Sequence, residues 1–162
     1  VNANIQKMTQ FKHPFHKLNK EYWSFRQKLP DIISTIAVND FKENFRRQGY
    51  IGNSGELINW QPRKINKGKG RAILVKSGRL KRDIRKKPDY RSARAVTSVP
   101  YAQAHNEGFK GRIKVRGKKV KEHYRNANIP KRPFMITTPA LINRINTRIE
   151  TDLDNIFKKI KE

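Results

Sequence analysis

TTPALINRINTRIETDLDNIFKKI, residues 137–160, is the stretch whose reading decides the fold. Ile142, Ile145, Ile149, Leu153, Ile156 and Ile160 recur at steps of three and four, so one apolar stripe runs along an α-helix. Thr137 or Thr138 supplies a hydroxyl for the N-cap, and Pro139 suits the first turn, where its missing N–H costs nothing. Working outward, PDIISTIAVNDFKENFRRQG (residues 30–49) repeats the pattern. Ile32, Ile33, Ile36, Ala37, Phe41 and Phe45 fall at helical spacing. Pro30 stands at a first-turn position, and Arg46-Arg47-Gln48 followed by Gly49 reads as a basic last turn and a C-cap. The spacing predicts a helix over 30–48.

Between the two helices the pattern changes. Residues 49–70 are rich in Gly and read as a loop, with Trp60 placed to plug an edge of the core. Ala72-Ile73-Leu74-Val75 is β-prone, Leu80 to Arg85 alternates weakly, and Ala93 to Val99 is a further short strand. Tyr101 to Glu107 reads as a helical turn closed by Gly108. Arg112 to Val120 reads as a β-hairpin turning near Gly117. Ile129-Pro130-Lys131-Arg132-Pro133-Phe134 is an extended link, because each proline disfavours helix at the residue before it. Helix, strands, helix predicts an α+β domain: a small antiparallel sheet of short strands with both long helices on one face and the basic hairpin projecting. Residues 29–162 are expected to form this domain, with the hairpin as an insert over 109–128. Residues 1–28 read as an arm, with Phe11, Phe15, Tyr22, Trp23 and Phe25 clustered on it and a short helix over 17–28.

Composition bounds the chemistry. The chain has 162 residues, no Cys and a net charge of +25. A Cys-ligated zinc site and a disulfide scaffold are excluded. The longest apolar runs are four or five residues, far below the roughly 20 that a membrane span needs. No apolar stretch of signal-peptide length opens the sequence, so export is not expected. The charge is uneven: residues 61–132 hold 24 Lys and Arg against 4 Asp and Glu. Such an excess points to an anionic partner, whether nucleic acid, a membrane surface or acidic protein.

Catalytic constellations are weak. His105 and Glu107 lie close together, but no second His or carboxylate stands at ligand spacing. Lys67-Gly68-Lys69-Gly70-Arg71 lacks the length and order of a phosphate loop. Asp83 and Asp89, isolated among cations, suit ion pairs. The basic hairpin is the stronger signal: Lys110, Arg112, Lys114, Arg116, Lys118, Lys119, Lys121 and Arg125 crowd within it. Alternation with Ile113 and Val115 puts Arg112, Lys114 and Arg116 on one face. That face could be solvated, could dock on acidic protein, or could track a phosphate backbone.

Several short elements occur in a telling order: Ser77-Gly78-Arg79-Leu80, then Tyr101-Ala102-Gln103-Ala104-His105-Asn106-Glu107-Gly108, then Ile129-Pro130-Lys131-Arg132-Pro133-Phe134. With Trp60 before them and an amphipathic helix at each end, this order resembles the virion morphogenesis family of tailed phages, the tail-completion or head–tail joining proteins of Mu-like phages. The resemblance covers about residues 29–160 and leaves the first 28 outside. It implies a structural subunit with no enzymatic activity and no cofactor. It implies a hexameric homo-oligomeric ring at the neck or the head-proximal end of the tail, made in the bacterial cytoplasm. Its partners would be connector, adaptor, terminator or tail-tube proteins, with non-specific DNA contact and no membrane. The physical roles fit. Gly78 and Gly108 permit turns at positive φ. Tyr101 and His105, one turn apart, share a face. Arg132, between Pro130 and Pro133, is expected to be held outward for a fixed salt bridge. The alternative is a basic nucleic-acid-binding protein without an assembly role.

Overall fold

The computed structural model describes residues 14–63, 72–117 and 120–161. Helix α1 spans Pro14–Arg47 and is followed by strands β1 (Gly49–Ile51) and β2 (Leu57–Asn59). A short helix α2 (Arg79–Arg82) precedes β3 (Arg85–Lys86) and β4 (Ala95–Val96), and a helical turn α3 (Ala102–Glu107) leads into the hairpin strands β5 (Phe109–Gly117) and β6 (Val120–Ile129). Helix α4 (Pro139–Lys161) closes the chain. The chain is α+β. Among the described residues the strands pair as three separate antiparallel ribbons, β1–β2, β3–β4 and β5–β6, and do not merge into one sheet. Two- and three-residue strands flanked by charged loops leave too little ladder to recruit a neighbour.

The two long helices pack against each other. α1 runs straight through Pro30, so the expected break between an N-terminal helix and a helix starting at Pro30 is absent. An interior proline costs roughly 3 kcal/mol of helix stability, and packing on both sides of it outweighs that cost. Upstream, Phe25 is buried, Leu18 and Tyr22 line a groove with Phe157 of α4, and the Lys17 ammonium donates to the Lys159 carbonyl at 2.8 Å. Downstream, Val38, Phe41 and Phe45 enter the core with Trp60, Leu80, Ile84, Val99, Ala102, Phe134 and Leu141. Buried Asp40 of α1 ties the helices together, accepting from Arg144 of α4 at 2.6 Å with Arg47 at 3.6 Å.

α4 begins as its sequence indicates: the Leu141 N–H donates to the Thr138 hydroxyl at 3.3 Å and Pro139 is the first helical residue. Its stripe is rotated slightly from the expected one. Leu141 is the buried residue, Ile145, Ile149, Leu153 and Ile156 are half-buried, and Ile142 is exposed. The side chain of Ile160 lies outside the described residues.

Three local expectations are corrected. The C-terminal left-handed residue of α1 is Gln48 (φ 56), not Gly49. Gly49 begins β1, and glycine is needed there because a Cβ would lie 2.3 Å from the Ile58 carbonyl oxygen of the paired strand. Residues 72–75 form a turn with Leu74 at φ 61, not a strand. The Gln48 side chain takes the place of a strand partner: its Oε1 accepts from the Ile73 N–H, and its Nε2 donates to the Phe45 carbonyl at 2.5 Å. Finally, residues 79–82 are helical, not part of a strand over 80–85; Leu80 is buried from the helix and Ile84, just beyond its C-cap Asp83, is buried from the link into β3. Phe11, residues 64–71 (with the Lys67-Gly68-Lys69-Gly70-Arg71 run), Lys118 and Lys119 lie outside the described residues.

Candidate assembly interface

The hairpin pairs β5 with β6 along most of their length. Phe109 pairs with Ile129, Arg112 with Asn126, Lys114 with Tyr124 and Val115 with His123, with an irregularity between Val115 and Gly117. Side chains alternate across the ribbon. One face therefore carries Lys110, Arg112 and Lys114 with Tyr124, and the Arg112 guanidinium lies 5.3 Å from the Tyr124 ring centre. The other face carries Ile113 and Val115, half-buried, with Ala127. Arg125 lies on this second face, opposite Ile113, and so does not extend the basic row. The side chain of Arg116 lies outside the described residues. Neither long helix packs along the ribbon, whose contacts are chiefly between its own strands.

What anchors the ribbon is built from the motif residues. Gly108 leaves α3 at φ 83, and a Cβ there would meet the Lys131 backbone nitrogen at 3.1 Å. After β6, the 130–134 link runs back beside α3, where the Arg132 N–H donates to the His105 carbonyl at 2.8 Å. Asn106 clamps it further: its Oδ1 accepts from the N–H groups of Phe134 (3.0 Å) and Met135 (2.9 Å). Asn44 of α1 donates to the Phe134 carbonyl at 3.3 Å. The Trp60 indole N–H donates to the Pro133 carbonyl at 2.9 Å, and the Trp60 and Phe134 rings both pack on Phe45. Trp60, Leu80, Pro133 and Phe134 are thus buried framework, Pro130 keeps the link extended, and Gly78 stands at φ 70 as its turn requires.

Arg132 is a correction. It is only 6 % exposed and turned inward, its Nε–H donating to the Gln61 carbonyl at 2.9 Å and its Nη2 to the Pro62 carbonyl at 3.3 Å. No carboxylate pairs with it among the described residues. The extended backbone between the two prolines alternates, so Lys131 faces solvent and Arg132 faces the 61–62 loop, whose carbonyls lack ladder partners. Burial and the nearby Arg63 charge push its pKa below the ordinary value.

Tyr101 and His105 do share a face, ring centres 5.8 Å apart in edge-to-face contact. Burial first, and the Arg132 charge second, push the His105 pKa below 6.5, so the ring is neutral at pH 7. Its Nδ1 is buried without a hydrogen-bond partner among the described residues. Glu107 instead hydrogen-bonds Gln103 at 3.1 Å, so structure does not join it to His105. Asp83 and Asp89 form the expected ion pairs, with Arg85 (3.3 Å) and Arg94. No group of three His, Cys, Asp or Glu side chains converges on a metal position among the described residues. No described helix is long and apolar enough to cross a membrane.

A family model for the phage virion morphogenesis family matches residues 7–154. The chain belongs to that family. The match begins well before residue 29, so most of the N-terminal arm lies inside the family region and not outside it. No curated protein and no solved structure matches the chain. This virion morphogenesis protein therefore has a phage structural or assembly role. Sequence reading missed Asn44, Asn106, Gln48 and Asp40. Asn44 and Asp40 did carry a signal: each is a polar residue on the helical stripe that holds Phe41 and Phe45.

Proposed function

We propose that this protein is a tail-completion or head–tail joining subunit. It would form a ring, hexameric as the family resemblance implies, at the neck of the virion and contact connector, adaptor, terminator or tail-tube proteins through its hairpin. One observation carries this reading: a family member holds a long basic ribbon away from its body on a base fixed by Asn106, Asn44 and Trp60. A rigid base sets the direction of the ribbon, and a row of cations guides encounter and register with an acidic partner more than it adds affinity. Catalysis plays no part in the reading. The test is the variant Arg112→Glu/Lys114→Glu/Arg116→Glu in a head–tail joining assay. The expected result is a folded protein that fails to join heads to tails, with only sequence-independent DNA binding in the wild type that falls steeply with salt. Normal joining by the variant, with wild-type DNA binding that survives physiological salt, would replace this reading by the nucleic-acid one.

A further inference from the structure

An isolated two-stranded ribbon is marginal in water. β5 and β6 are nine and ten residues long, about 30 Å at roughly 3.3 Å per residue. This ribbon also exposes a row of cations and the Tyr124 ring, 61 % exposed. Its chemistry calls for an occupant with carboxylates and an aromatic or apolar surface.

The chain itself carries that surface. Asp31, Asp40, Glu43, Asp83, Asp89 and Asp152 are each held in an ion pair within the fold. Glu150 and Asp154 of α4 have no such pair among the described residues. They stand one helical turn apart, both exposed, on the side of α4 opposite the Leu141–Ile145–Ile149 stripe. Like charges at that spacing repel, so a cation from outside the helix would be favoured between them. Phe157 follows on the same face, 51 % exposed, and borders an open groove of about 400 Å³ with Leu18, Asn19 and Tyr22 of α1.

The spacings match. Alternate residues of a strand, such as Arg112 and Lys114, are about 6.6 Å apart, and residues four apart in a helix rise about 6 Å. We infer that the basic face of the hairpin docks on the Glu150–Asp154–Phe157 face of α4 in a second copy of this chain. Arg112 and Lys114 meet the two carboxylates, and Tyr124 lies towards Phe157 and the groove. The ribbon does not pack along α4 of its own chain. A contact joining two different surfaces is head-to-tail, and repetition of it closes a ring when the rotation permits. The inference rests on the assembly reading and names the neighbour within it.

The chain has no Cys, which makes the test direct. Arg112→Cys and Glu150→Cys are purified separately, checked for native circular dichroism, and mixed under mild oxidation at low salt. The expected result is a disulfide-linked dimer in the mixture at a yield at least tenfold above either variant alone. A second arm uses light scattering: Glu150→Lys/Asp154→Lys should lose the oligomer, as should Arg112→Glu/Lys114→Glu, and mixing the two should restore it with the variants alternating. A wild-type oligomer that neither cross-links nor responds to charge reversal would overturn this inference while leaving the assembly reading intact. A wild type that stays monomeric at all concentrations and salts would overturn it too. Monomers that bind only a duplex DNA probe, at physiological salt, would overturn both.

Discussion

Replacing Asn106 by Ala should loosen the base on which the ribbon stands. Its Oδ1 accepts from two backbone N–H groups, Phe134 at 3.0 Å and Met135 at 2.9 Å. Its amide also donates weakly to the Met135 carbonyl at 3.4 Å. Truncation leaves two part-buried donors without a partner, each costing about 1–3 kcal/mol. An open cleft lined by Ser98, Gln103, Asn106 and Met135 lets water reach part of the vacated space, which favours the lower end of the range. The expected loss is about 2–3 kcal/mol. For a chain of this size each kcal/mol lowers Tm by about 2–4 °C, so the drop should be about 4–12 °C. Asn106→Asp keeps the acceptor and should stay within about 1 kcal/mol at pH 7. Urea titrations of the three proteins, with an unchanged m-value, give the energies. Hydrogen exchange gives the location: the Phe134 and Met135 amides should exchange faster in Asn106→Ala than in Asn106→Asp. If Asn106→Ala melted within about 0.5 kcal/mol of wild type, or those amides kept their protection, the clamp would not be what holds the link.

On α4, Leu141→Ala should cost about 2–5 kcal/mol while Ile142→Ala costs little, since only the first is buried. Ile149→Asp should destabilise far more than Lys158→Asp, and equal melting temperatures for those two would show the helix phase to be wrong. His105 is neutral in the fold and has a pKa below 6.5 there, so the unfolded chain binds the extra proton first as pH falls. Stability should therefore be flat above pH 6.5 and decline below it, and a urea midpoint as pH-independent in wild type as in His105→Gln would contradict this. Asp89 is lowered from 3.8 to about 2, chiefly by the Ser92 hydroxyl and then the Arg91 N–H. Its turn should stay ordered from neutral pH down to about 3.8 and loosen as pH falls through about 2, followed by the Arg91 and Ser92 amide resonances.

The terminal helix and its cap were legible in the sequence because they depend on neighbours three and four residues away. Thr138, Pro139 and the Ile145–Ile149–Leu153–Ile156 stripe need no distant partner to declare a helix. So too the hairpin around Gly117, the buried Trp60, and the turns at Gly78 and Gly108 follow from local chemistry. The family, too, is legible in the order of three short motifs. Other features were decided only when distant segments met. Pro30 reads as a helix start, yet α1 passes through it because Phe25 is buried and Leu18 and Tyr22 meet the distant Phe157 of α4 across a groove. Residues 72–75 have strand propensity, yet Gln48 satisfies their backbone and fixes a turn. Arg132 reads as an outward cation, yet the unpaired carbonyls of Gln61 and Pro62 draw it inward. In each case a preference worth at most a few kcal/mol was outweighed by burial and hydrogen bonds that exist only once the chain has folded.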